Sequence, residues 1–237
     1  MILTVYTAKG GTGKSTLAVN VGAAWANGVD VLLVDSDAQG TAGRMVSTEV
    51  GGPGLVDVLN GSATIQEATA NTSVDGLFLL SGDGRIPDMQ EAKLAGLSAM
   101  LQRFQGVVVI DCEPGRSPIA SRALQIADAV VVPVVPRFAD VMGMAEAVHA
   151  LGDKVLGVVP QMVDRRVRVT DSLLGVLNEN LGDLVTESIP ISARCAECAA
   201  YGSPVVTYEP SNRAAVAYSE LSRELMRRCR KRGIYGQ

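Results

Sequence analysis

Short apolar, β-branched runs alternate along the chain with longer stretches in which apolar residues recur every three or four positions. The short runs, at 2–7, 31–35, 77–81, 107–111, 129–133, 155–159 and 185–189, predict strands. The longer stretches, at 14–26, 89–104, 118–126, 141–151, 169–181 and 214–232, predict helices. Strands that are apolar on both faces and alternate with helices predict an α/β fold, a doubly wound, mostly parallel sheet with helices on both faces. No Pro-, Ser- or Gly-rich linker divides the pattern, so residues 1–237 are expected to form a single domain ending in a basic helix at about 214–232. Residues 38–71 break the pattern with Gly40, Gly43, Gly51, Gly52, Pro53, Gly54 and Gly61 and are expected to hold short helices and mobile loops. Ligands of such sheets sit beyond the carboxyl ends of the strands, so the loops after Thr7, Asp35 and Asp111 are expected to share one crevice.

Composition narrows the class. With 237 residues, 47% hydrophobic and 19% charged, the chain has material for a large core, which argues against disorder. No apolar stretch reaches the roughly 20 residues of a membrane span and no basic leader opens the chain, so a cytoplasmic protein is expected. The four cysteines, Cys112, Cys195, Cys198 and Cys229, are too few for a disulfide framework. The net charge of -4 hides an asymmetry: segment 223–232 holds six basic residues and one acid, and removing that +5 leaves -9 for the rest.

The first predicted strand runs into Ala8-Lys9-Gly10-Gly11-Thr12-Gly13-Lys14-Ser15-Thr16, followed by a helical pattern. Strand, glycine-rich loop, Gly-Lys-Ser and helix form a P-loop in its proper context. The glycines let backbone amides close around an anion at the positive end of the helix. Lys14 is expected to bridge the terminal phosphates of a nucleotide, and Ser15 to place its hydroxyl on Mg²⁺. Ala8 stands where the general pattern has glycine, so this is a variant form, with Lys9 beside it. A dinucleotide-binding reading of Gly11-Thr12-Gly13 fails because Thr16 occupies the third glycine position.

Two more strand ends carry acids. Asp35-Ser36-Asp37 follows the second strand, where Asp37 is assigned the attacking water and Asp35 the metal shell or the bracing of the loop; a plain turn cap fits the same spacing. The run 106–110 ends in Asp111, as a Walker B strand does, and Asp111 is expected to hold the metal through water. Glu113, before Pro114-Gly115, suits either a catalytic acid or an exposed turn.

Together these motifs, with Lys9 inside the P-loop, resemble the ParA family of partition ATPases within the MinD/ParA group of deviant Walker P-loop NTPases. The resemblance spans most of the chain and includes Asp35-x-Asp37-x-Gln39-Gly40, Pro133-Val134-Val135-Pro136, Met162-Val163-Asp164-x-Arg166, and Ile189-Pro190 followed by Arg194, Glu197 and Tyr201-Gly202-x-Pro204. It implies ATP and Mg²⁺ as cofactors, hydrolysis to ADP and phosphate, and a homodimer in which Lys9 reaches the partner's nucleotide. The catalytic residues so implied are Lys9, Lys14 and Asp37, with Met162 and Pro190 near the adenine. It further implies nonspecific DNA binding by the ATP-bound dimer through Arg194 and Arg213, nucleoid association, and a ParB-like partner that stimulates hydrolysis. A membrane-cycling MinD-like regulator and a positioner of a protein cargo are the alternatives.

Arg223, Arg227, Arg228, Arg230, Lys231 and Arg232 crowd the end of the last helix. Arg227 and Arg228 are assigned to DNA, against a solvated helix end favoured by the helix dipole. No stable membrane association is expected, since residues 233–237 offer few bulky apolar side chains. Cys195-x-x-Cys198 suits ordinary thiols in a loop, or, by resemblance to deviant Walker relatives that carry iron-sulfur clusters, a cluster shared between two subunits.

Overall fold

The computed structural model describes residues 1–47 and 51–236. In chain order the elements are β1 Ile2–Val5, α1 Lys14–Ala26, β2 Val31–Ser36, α2 Thr41–Arg44, α3 Leu55–Asn60, α4 Ile65–Ala68, β3 Thr69–Asn71, β4 Leu77–Leu80, α5 Glu91–Leu94, α6 Leu97–Leu101, β5 Val107–Cys112, α7 Pro118–Ile126 and β6 Ala129–Val134. Then follow α8 Phe138–Met142, α9 Met144–Leu151, β7 Val155–Pro160, α10 Val169–Leu181, α11 Ala193–Ala200, α12 Val205–Tyr208 and α13 Arg213–Lys231.

Seven strands form one sheet in the order β3-β4-β2-β5-β1-β6-β7, parallel throughout except for the antiparallel β3. The period of two along each strand divides the core. Leu32, Val34, Val108 and Ile110 face one layer with Ile119, Leu173 and Leu177, while Leu33, Val107 and Val109 face the other with Leu17, Val21, Tyr218 and Leu221. Helices α1 and α13 therefore cover one face, and α7 and α10 the other. The central strands β2, β5, β1 and β6 bring their carboxyl-terminal loops side by side, which is what positions the site.

Several expectations shift. Residues 185–189 form no ladder strand. Val158 pairs with Val185 and Val163 with Pro190 as isolated bridges, because Pro160 has no N–H to continue a ladder between them. The predicted helix at 89–104 is cut into α5 and α6 around Gly96, and the one at 141–151 starts earlier and is cut at Gly143. Region 38–71 does hold short helices, α2 to α4, along with the unforeseen edge strand β3, while its positions 48–50 lie outside the described residues. Among the described residues no helix is long and apolar enough to cross a membrane.

Candidate nucleotide site

The loop between β1 and α1 is shaped by two left-handed glycines, Gly11 (φ 66°) and Gly13 (φ 82°), the latter at the amino-terminal cap of α1. A Cβ on Gly13 would come within 3.2 Å of Gln161 Oε1 and Met162 Cε, so a larger residue would crowd these side chains as well as strain the left-handed backbone. Lys14 is buried, and its ammonium donates to Lys9 O at 2.9 Å. Burial pulls its pKa down, while Asp111 and Asp37 push the other way. The Thr12 hydroxyl is buried with no hydrogen-bond partner among the described residues.

Asp35 and Asp111 are neighbours in the register of β2 and β5, and neither is exposed. Asp35 spends its oxygens on backbone N–H groups of its own loop, Oδ1 accepting from Asp37 at 3.1 Å and Oδ2 from Gly43 at 2.9 Å. Burial still raises its pKa to about 6. Those bonds let Asp35 brace the loop that carries Asp37. Asp111 has no such support. Burial, then the charge of Asp35, hold its pKa well above the ordinary carboxylate range. Ser15 lies close enough to draw it back down, yet neither carboxylate oxygen of Asp111 has a well-formed hydrogen bond among the described residues. Such buried acceptors beside the Ser15 hydroxyl suit the water shell of a divalent cation. Asp37 is half-buried, and its Oδ1 accepts from Gln39 N at 2.8 Å.

Lys9 is half exposed. Its ammonium donates to Ala139 O and to Asp140 Oδ1, both in α8. At the far side of the P-loop, Met162 adopts φ 53°, unusual for a residue with a Cβ. Beyond it opens a cavity of about 660 Å³ lined by Val163, Asp164, Pro190, Ile191 and Arg213 among others. Sequence reasoning missed Gln161, a buried residue whose Nε2 donates to Gly13 O at 3.1 Å and whose Oε1 accepts from Tyr218 at 2.7 Å. It ties the P-loop to α13, and its sequence signal was only a polar residue after the apolar run of β7.

A family model described as an AAA domain matches residues 1–155. The chromosome-partitioning ATPase Soj of Thermus thermophilus is 33% identical, over 93% of this chain and 93% of its own. The chromosome partitioning protein ParA of Caulobacter vibrioides is 29% identical, over 98% and 96%. This chain belongs to the ParA family of partition ATPases. In fold it is similar to the septum site-determining protein MinD of Pyrococcus horikoshii, solved with Mg-ADP: TM-score 0.82, 24% identity, 94% of this chain and 95% of that one.

Within this ParA-family framework the four arginines assigned to DNA separate. Arg194 stands in α11 and Arg213 opens α13, and the residues ahead of these helices meet where Ser192 Oγ donates to Asn212 Oδ1 at 3.3 Å. Arg194 is ion-paired with Glu197 at 2.5 Å and Glu209 at 2.7 Å, whereas Arg213 has no ion-pair partner among the described residues. Arg227 is exposed on a different groove, of about 1110 Å³, together with Arg223 and Arg230. Arg228 is a correction. Its guanidinium is turned inward, donating to Glu224 at 2.5 Å and to Leu156 O at 3.0 Å, so it staples α13 to β7 and is not offered to a ligand.

The cysteine pair is a second correction, since Cys195 and Cys198 lie one turn apart on α11 and not in a loop. Burial pushes both thiols up, and among the described residues no group of three or more His, Cys, Asp or Glu is arranged for a metal.

Proposed function

We propose that this chain is a Mg²⁺-dependent ATPase that pairs with a second copy around ATP and binds DNA without sequence preference as that pair. Hydrolysis and release then follow when a ParB-like partner engages, so the output is the position of a DNA cargo. The observation that carries the reading is the set of unsatisfied buried groups at one loop cluster, Thr12 Oγ1 and both oxygens of Asp111, beside Lys14 and Ser15. A protein leaves such groups unpaired where a ligand completes them.

The residues divide the work. Amides of 10–15 cradle the phosphates, and the Lys14 ammonium moves from Lys9 O onto the terminal phosphate oxygens, where it offsets charge that grows during transfer. Ser15 and Asp111 fit Mg²⁺, which when bound neutralises phosphate charge. Asp37 keeps one oxygen in its own turn and turns the other to the attacking water, and Asp35 fixes that loop. The cavity beyond Met162 and Pro190 takes the base. Lys9 adds the second cation, from the neighbouring chain.

DNA retention tests the reading. Retention is expected with ATP and not with ADP or without nucleotide. Arg213→Ala should weaken it more than Arg194→Ala, whose charge is already offset by two carboxylates. Two Arg213 charges in a dimer are expected to lower the slope of log affinity against log salt by about 2. Equal retention in all three nucleotide states rejects the switch.

A further inference from the structure

Lys9 is held within its own chain by α8. Its ammonium donates to Ala139 O and, at 2.8 Å, to Asp140 Oδ1. The Asp140 side chain is 13% exposed and that of Lys9 47%, so the carboxylate is sheltered and the cation is the member at the surface. The helix is a distinct five-residue unit, entered through the extended Arg137 and closed by Gly143 before α9. A cavity of about 170 Å³ lies between α8–α9 and α10, bordered by Val141, Met144 and Leu177. The outer side of α8 carries Phe138 (70% exposed) and Met142 (49%), four residues apart and so on one face. Asp140 stands two residues from each of them, so the ion pair and this apolar pair lie on different faces of α8.

We propose that Asp140 is an intrachain latch on Lys9. In the single subunit it occupies the ammonium, and pairing must exchange Ala139 O and Asp140 for the phosphates of the neighbour's nucleotide. The latch rests on the reading above, in which Lys9 serves the partner's ATP. An exposed ion pair of this kind is worth about threefold in an equilibrium, and a symmetric pair opens two of them, so the factors multiply and raise the concentration needed for pairing by about tenfold. A triphosphate carries enough charge to win Lys9 from Asp140. A diphosphate, with its terminal group missing, competes less well, so the latch sharpens the distinction between the two nucleotides.

The test is molar mass in solution against protein concentration, with Mg²⁺ and either a non-hydrolysable ATP analogue or ADP. Wild type is compared with Asp140→Asn, Asp140→Ser and Lys9→Ala. Both Asp140 variants are expected to pair at about tenfold lower protein concentration with the analogue and to show some pairing with ADP, while Lys9→Ala stays monomeric. If the Asp140 variants pair no better than wild type while Lys9→Ala remains monomeric, the latch is overturned and the role of Lys9 stands. If Lys9→Ala pairs undiminished, the role of Lys9 falls and takes the latch with it.

Discussion

Asp111→Asn is expected to make the nucleotide-free protein more stable while removing its ATPase activity. Asp111 is fully buried beside Asp35, its oxygens lack well-formed hydrogen bonds, and both carboxyls have folded pKa values raised above the ordinary range. A raised carboxyl pKa means that the folded state binds protons more tightly than the unfolded one. Stability is therefore highest at low pH within the window and is lost as pH rises from about 4 through about 6 for Asp35, and further for Asp111. The shift of Asp35 alone corresponds to up to about 3 kcal/mol. Asp57 and Asp164, held at about 2 chiefly by hydrogen bonds from Arg85 and Arg166, act with the opposite sign but only below pH 4. The nucleotide-free wild type should thus melt at a higher temperature at pH 5.5 than at pH 8. A neutral amide at 111 removes one buried charge and its repulsion of Asp35, for a gain of about 1–3 kcal/mol at pH 7.5 and a flatter pH profile. Phosphate release should fall at least about a hundredfold, since the amide holds a cation's water shell poorly. Thermal melts from pH 5 to 8 without nucleotide, beside an ATPase assay, read both arms. A variant less stable than wild type at pH 7.5 would show that Asp111 is not held at a cost.

Gln161→Ala should destabilise the fold by about 3–5 kcal/mol and weaken nucleotide binding with it. The side chain bridges Gly13 O and the Tyr218 hydroxyl, and Tyr218 is 2% exposed, so truncation strands a buried hydroxyl and opens a cavity. Gly13 O keeps its bond from Leu17 N, so α1 still starts, but the loop loses its tie to α13. The decisive measurement is a double-mutant cycle by urea unfolding. In a Tyr218→Phe background, which has no hydroxyl to strand, Gln161→Ala is expected to cost about 1–2 kcal/mol less. Strict additivity would show that the hydrogen bond carries none of the effect.

The P-loop was legible because its determinants are local: glycines at left-handed positions, a Lys-Ser pair and a helix start, all within a few residues. The alternation of strands and helices announced the parallel sheet for the same reason. What stayed hidden is long-range. Lys9 meets Asp140 across 131 positions and Gln161 meets Gly13 across 148, and no spacing rule reports such pairs. Arg228 and Arg227 look alike in a basic run, and only the packing of α13 on β7 turns one inward and leaves the other exposed. Residues 185–189 read as a strand because propensity ignores the missing N–H of Pro160.

The sheet's two borders are both blunted. On one side β3 is only three residues long, and on the other the carbonyls of Val158 and Pro160 are already taken by Thr186 N and Ile189 N. A border closed in this way gives another backbone little to template on. A second chain that meets this protein is therefore expected to do so through side-chain surfaces and not by extending the sheet.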